Sequence, residues 1–170
     1  MTQNDTTTLV ERIEAVAARY PSSKSAIIPA LHLAQEAYGW LPAEAFEAVA
    51  EALDTTPAFA QSVATFYDMF HLQPVGKHLI EVCTNVACAL NGAGGVLDEF
   101  EQQLNIHNGE STPDGQYTLR SVECLGGCGT APTVAVNNRF REFFERSQVK
   151  PLLAELKATP TGWTEGEGQV

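Results

Sequence analysis

The chain has 170 residues, a formal net charge of −11 and 44% hydrophobic residues, enough apolar content for one large core or two small ones. That charge argues against a nucleic-acid surface, which needs clustered Lys and Arg, and it suits docking onto a basic partner. No apolar run approaches the roughly 18 residues that span a bilayer. Met1-Thr2-Gln3-Asn4-Asp5-Thr6 lacks both the basic-then-apolar pattern of a secretory signal and the Arg-rich character of a transit peptide.

The first 73 residues read as helical. Leu9, Ile13, Val16, Ala17 and Tyr20 form an apolar stripe of helical period, which Pro21 ends. A second helix is expected from about Ser25 to Tyr38, with Pro29 near its first turn and Gly39 just past its end. Pro42 opens a third, with Ala45, Phe46, Val49 and Leu53 on one side. Thr56 and Pro57 are an N-cap and first-turn proline for a fourth, expected to run to about Met69. The four make a small bundle with acidic outer faces: three basic and nine acidic residues up to Pro74 give −6.

The pattern changes at Gln73-Pro74-Val75-Gly76, taken as a domain boundary. His78 to Cys83 is a short β-branched strand, and a helix follows, clearest from Val96 to Leu104. Asn105 to Gln116 is a polar loop. Tyr117–Glu123, Thr133–Val136 and Arg139–Phe144 are further strands, with Asn137-Asn138 as a hairpin turn, and Val149–Lys157 is a closing helix. The order β-α-β-β-α is the thioredoxin-like arrangement. The expected fold is therefore α+β: a helical bundle over 1–73, a thioredoxin-like α/β domain over 74–158, and a flexible Gly-containing tail over 159–170.

The four cysteines fall in two pairs, Cys83-x4-Cys88 and Cys124-x3-Cys128, each just beyond a predicted strand. If the first two strands are parallel, both loops leave one sheet edge, and two loops giving two thiolates each suit a two-iron cluster. Gly126, Gly127 and Gly129 surround Cys128, and Gly92, Gly94 and Gly95 follow Cys88; glycine lets a chain approach an inorganic core and turn N–H groups toward sulfur. A low reduction potential is expected in such acidic surroundings. The spacings also suit structural zinc. Two disulfides are disfavoured in the reducing cytoplasm, where the chain is expected, and four inert thiols would not pair at strand ends.

Three stretches carry a family resemblance: Ala64-Thr65-Phe66-Tyr67-Asp68-Met69-Phe70, Pro74-Val75-Gly76-Lys77-His78, and Val122-Glu123-Cys124-Leu125-Gly126-Gly127-Cys128-Gly129-Thr130-Ala131-Pro132. Over about residues 8 to 157 the chain resembles the thioredoxin-like [2Fe–2S] subunit of the NADH dehydrogenase module of respiratory complex I, the E-type subunit in bacteria. The resemblance implies one [2Fe–2S] cluster on Cys83, Cys88, Cys124 and Cys128, and electron transfer with a flavoprotein partner that binds NADH and FMN. It also implies a cytoplasmic site, peripheral to the inner face of the membrane through the complex. Related subunits of NAD-linked formate dehydrogenases and bidirectional hydrogenases share these motifs. After the second cysteine the family often has an aromatic or Leu and then Arg-Gly. Here Ala89-Leu90-Asn91-Gly92 follows Cys88, which leaves the implied ligand set intact and removes a basic neighbour.

No nicotinamide site of the chain's own is expected. Gly92-Ala93-Gly94 starts like a dinucleotide fingerprint, but Leu97 stands where a third Gly or Ala belongs. His32, His71, His78 and His107 have no metal-site spacing and are assigned ordinary surface or structural roles, and no residue is assigned as catalytic. Phe66, Tyr67 and Phe70 are expected to pack against the first strand of the next domain, the alternative being a contact with the flavoprotein. The bundle, which carries no ligand, is expected to dock on that partner.

Overall fold

The computed structural model describes residues 3–158, with side chains from Leu9 onward; the segment from 159, expected to be a flexible tail, lies outside the described residues. The chain separates into two compact units, Met1–Pro74 and Val75–Val170.

The first unit has four helices: α1 (Gln3–Ala17), α2 (Ile27–Tyr38) after a 3-10 turn at Ser23–Ala26, α3 (Ala43–Leu53) and α4 (Pro57–Ala64). Pro29 is tolerated as the third residue of α2, because the first N–H groups of a helix have no intrahelical partner. Gly39 ends α2 with φ 78°, its N–H donating to Gln35 O at 2.7 Å, and the Thr56 hydroxyl caps α4 by accepting from Phe59 N–H at 3.2 Å. The helix α3 packs against α1, α2 and α4. Leu9, Ile13, Leu31, Val49 and Leu53 fill the core, and buried Ala30, Ala34, Ala45, Ala48 and Ala60 let the helix backbones approach closely.

The helix α4 stops at Ala64 rather than continuing to Met69. Side chains near its end compete for the carbonyls, Ser62 Oγ donating to Phe59 O and Thr65 Oγ1 to Ser62 O. Buried Gln35 then captures the backbone beyond: its Nε2 donates to Met69 O at 3.0 Å, and its Oε1 accepts from His71 N–H at 2.7 Å. This turn scatters the expected aromatic group. Phe70 enters the bundle core, with its ring 4.9 Å from that of His32, while Phe66 is 81% exposed.

The second unit holds a four-stranded sheet ordered β2-β1-β3-β4, built from β1 (His78–Cys83), β2 (Tyr117–Val122), β3 (Val134–Val136) and β4 (Arg139–Arg141). The strands β1 and β2 are parallel; β3 is antiparallel to β1, and β4 to β3. Helices α5 (Val86–Leu90), α6 (Ala93–Leu104) and α7 (Val149–Ala158) complete the unit. Among the described residues, no helix is long and apolar enough to cross a membrane. Ile80 and Val82 on β1, Leu119 on β2 and Val134 and Val136 on β3 pack with Phe100 of α6 and Leu152 of α7. Asn137 and Asn138 turn the β3–β4 hairpin with φ 49° and 64°, and Asn137 Oδ1 accepts from Leu79 N–H at 2.8 Å.

Three local features differ from expectation. The five-residue α5, capped by Asn85 Oδ1 on Val86 N–H at 2.7 Å, is too short to show a helical period. The strand β4 ends at Arg141, because Phe143 N–H and Phe144 N–H donate instead to Thr130 O and Pro132 O, which brings Phe144 into the core against Phe100. The loop before β2 runs along that strand's outer side: Asn108 and Ser121 bond through side chain and backbone, and Gly109, Glu110 and Thr112 bond to Leu119 and Tyr117. An open strand edge is thereby covered.

Candidate metal centre

Parallel pairing decides where the cysteines go. Cys83, the last residue of β1, lies opposite Val122, the last of β2, so the loops that follow both strands leave the same edge. The chain enters β3 at that edge too, with Val134 opposite Val82. One further bond on each side ties the segments together: Thr84 N–H donates to Val122 O and Cys83 N–H to Thr133 O, both at 3.1 Å. Close approach of the strands at their far end depends on Gly76, whose absent side chain would sit 2.5 Å from the Tyr117 carbonyl carbon and whose N–H donates to Thr118 Oγ1.

All four cysteines are free thiols. Cys83 and Cys88, on the third residue of α5, are buried at 2% and 1% exposure within the sheet core. Cys124, two residues past β2, and Cys128, opening a 3-10 turn at Cys128–Thr130, are exposed. The structure brings Cys83 and Cys88 together, their sulfurs hydrogen bonded, and sets the other two on the adjoining loop. Among the described residues, no three His, Cys, Asp or Glu side chains gather as ligands of one ion. His78 lies at the opposite end of β1, its ring tilted against that of Tyr117.

Backbone donors point at these sulfurs. Burial pushes the Cys83 thiol up, but N–H groups of Asn85 and Leu125 and the Cys88 thiol outweigh it and hold Cys83 below its ordinary value, with Glu123 opposing. Cys88 is raised, by burial first and then by the neighbouring Cys83, against donation from the Thr133 N–H and hydroxyl. Gly126, at φ 78°, donates its N–H to Cys124 Sγ at 3.3 Å. The glycines after Cys88 act differently: Gly92 caps α6 at φ 95°, and a Cβ on Gly94 would meet nothing within 4 Å. Asn85, Leu125 and Thr133 were not legible as contributors. Leu125 acts through its backbone alone, and no side-chain pattern reports that.

A soft donor set of four thiols from two loops at one edge, with N–H groups already directed at three of the sulfurs, fits a [2Fe–2S] cluster.

Comparison with known proteins agrees with this chemistry. The thioredoxin-like [2Fe–2S] ferredoxin family matches residues 13–157. The chain is 42% identical over 151 residues to an E-type subunit of NADH-quinone oxidoreductase from Rhizobium meliloti (strain 1021), spanning 89% of this chain and 90% of that protein. It is 38% identical over 149 residues to NADH-quinone oxidoreductase subunit 2 of Thermus thermophilus, covering 86% and 82% of the two chains. An NAD+-reducing [NiFe]-hydrogenase in the air-oxidised state shares the fold at 22% identity and a TM-score of 0.69, over 78% of this chain and 23% of the hydrogenase chain.

Proposed function

This chain belongs to the thioredoxin-like [2Fe–2S] ferredoxin family, and we propose that it is the electron-transfer subunit of an NADH–quinone oxidoreductase, holding one [2Fe–2S] cluster on Cys83, Cys88, Cys124 and Cys128. The observation that carries this reading is the convergence of both cysteine loops on the shared edge of β1 and β2. Relatives at 42% and 38% identity bear the quinone oxidoreductase name, whereas the hydrogenase likeness concerns the fold alone, so the respiratory reading is favoured over a hydrogenase or formate dehydrogenase subunit.

When bound, the cluster supplies a one-electron relay. The protein's own part is to hold and orient the thiolates. Buried β1 and α5 fix Cys83 and Cys88, N–H groups of Asn85, Leu125 and Gly126 offset sulfur charge, and exposed Cys124 and Cys128 leave the site open to a partner. Val86 and Leu90 of α5, on the first cysteine loop, and Phe143, whose N–H bonds Thr130 O of the second, are exposed apolar side chains, as suits a protein partner. That partner is the flavoprotein subunit, which binds NADH and FMN; the complex works at the inner face of the cell membrane, and this chain does not insert. The helical unit, which holds no cysteine, serves as a docking body for the flavoprotein.

The cluster-loaded chain alone leaves NADH unoxidised. Adding the flavoprotein subunit brings NADH-dependent bleaching of the cluster's visible absorption. Oxidation of NADH by the chain alone would contradict this division of labour. A chain starting at Pro74 keeps its cluster but no longer co-purifies with the flavoprotein; undiminished binding would remove the docking role of the helices.

A further inference from the structure

Among the described residues, Asp54, Asn105, Asn137, Asn138 and Phe143 are the non-glycine residues with a positive φ, all between 49° and 64°. Four of the five are Asn or Asp, whose short polar side chains tolerate the left-handed region and bond locally. Phe143 is the exception. A bulky aromatic is strained in this conformation, and its ring gains little burial in return, being 62% exposed. The turn itself is required. Phe143 N–H donates to Thr130 O at 2.7 Å and Phe144 N–H to Pro132 O at 2.8 Å. That reversal sends Phe144 into the core, its ring stacked on that of Phe100. Asn or Gly at 143 would make the same turn with less strain. The fold asks for the turn and does not ask for the ring.

The ring stands beside the exposed cysteine loop. Thr130, which accepts the Phe143 N–H, ends the 3-10 turn that Cys128 opens, and its hydroxyl donates to Glu142 Oε1 at 2.9 Å. Residues 142 and 143 are thus tied to that loop through backbone and side chain. Cys128 is exposed, so a protein exchanging electrons with a cluster held there comes against this surface. Exposed Glu142 and Glu145 bracket the two phenylalanines, and exposed Glu123 adjoins Cys124. The neighbouring cations are engaged, Arg141 by Glu155 at 2.6 Å and Arg146 by Glu99 at 2.8 Å. An exposed aromatic with an acidic rim is complementary to an apolar pocket with a basic rim.

We propose that Phe143 is the aromatic anchor that seats the NADH- and FMN-binding flavoprotein against the metal centre, entering an apolar pocket with a basic rim on that subunit. Burial of the ring in the complex offsets the backbone strain that the chain carries alone. This rests on the partner assigned above, and the experiment separates the two.

Full-length, cluster-loaded wild type, Phe143→Asn and Glu142→Gln are titrated with the flavoprotein subunit, following NADH-dependent bleaching of the visible absorption. Asparagine suits the left-handed turn and removes the ring. The expected Phe143→Asn protein has normal iron and sulfide and a denaturation midpoint no lower than wild type. Its half-maximal flavoprotein concentration rises about tenfold, as for loss of a central interface anchor. At saturating flavoprotein its bleaching rate returns to that of wild type, because the ring acts on binding. Salt weakens binding of wild type, and less so that of Glu142→Gln, which keeps an acceptor for Thr130. An unchanged half-maximal concentration in Phe143→Asn, or a lowered denaturation midpoint, overturns the inference and leaves the partner assignment standing. Binding of wild type that is indifferent to salt overturns the basic rim. A wild-type cluster that NADH and the flavoprotein do not bleach overturns the partner assignment itself.

Discussion

Cys83, at the end of β1, and Cys88, in the middle of α5, sit in a packed core, whereas Cys124 and Cys128 stand exposed on a glycine-rich loop. The first pair is positioned by folding itself, through β1, the Asn85 cap and burial. The second is positioned by three tethers to the first: Leu125 N–H on Cys83, the Gly127–Thr133 contact and the Val122–Thr84 bond. Half of the proposed ligand set is therefore preset by folding, and the other half stays accessible.

The largest expected effect erases this contrast. Any one of Cys83→Ser, Cys88→Ser, Cys124→Ser or Cys128→Ser loses or distorts the cluster, because iron of this kind prefers thiolate; iron, sulfide and visible absorption measure it. Four equivalent losses make all four residues ligands, and an intact cluster in any variant removes that residue from the set.

Next in size is Gly76→Ala, which strikes the frame common to both pairs. The added methyl meets backbone atoms of Tyr117 at 2.5 and 2.8 Å, so β1 must move from β2. A loss of about 2–4 kcal/mol is expected in denaturant unfolding, from overpacking against atoms that cannot rotate away.

A third effect sharpens the contrast in the metal-free chain. Cys88→Ser places a hydroxyl in the core and costs about 1–2 kcal/mol, while Cys124→Ser changes stability by less than about 0.5 kcal/mol. In the same chain, a thiol reagent labels two cysteines fast and two slowly. Cys83 stays in the slow pair although its thiol is held below the ordinary value, because access limits the reaction.

The smallest effect lies at the far end of β1. Burial, then the Lys77 charge, lowers the His78 pKa below 6.5, against donation to the Leu156 backbone. Well above 6.5 neither folded nor unfolded chain is protonated at this residue. Below it the unfolded chain takes the proton first, so stability drops as the pH drops, by at most about 1.4 kcal/mol per unit for one proton. His78→Gln flattens that slope and leaves the cluster's absorption unchanged.

Sequence made the framework legible where periodicity or capping was strong. The Leu9–Ile13 stripe, Gly39, the Thr56-Pro57 cap and the Asn137-Asn138 turn all act as their chemistry dictates. It failed where distant groups decide local structure. Gln35, more than thirty residues away in sequence, ends the turn after α4, and Thr130 and Pro132 draw Phe143 and Phe144 off β4. At the site, the cysteines announced themselves by spacing and the exposed loop by its glycines. Gly126 donates to sulfur as its glycine suggested, but the other sulfur donors were not legible, since N–H groups of Asn85 and Leu125 act whatever their side chains, and Thr133 is brought in only by the antiparallel approach of β3.

The most direct test of the central claim is metal and sulfide analysis of the full chain purified without air. The account predicts a red-brown protein with two irons and two inorganic sulfides per chain, the composition of a two-iron cluster. A colourless protein with stoichiometric zinc and no sulfide would contradict it.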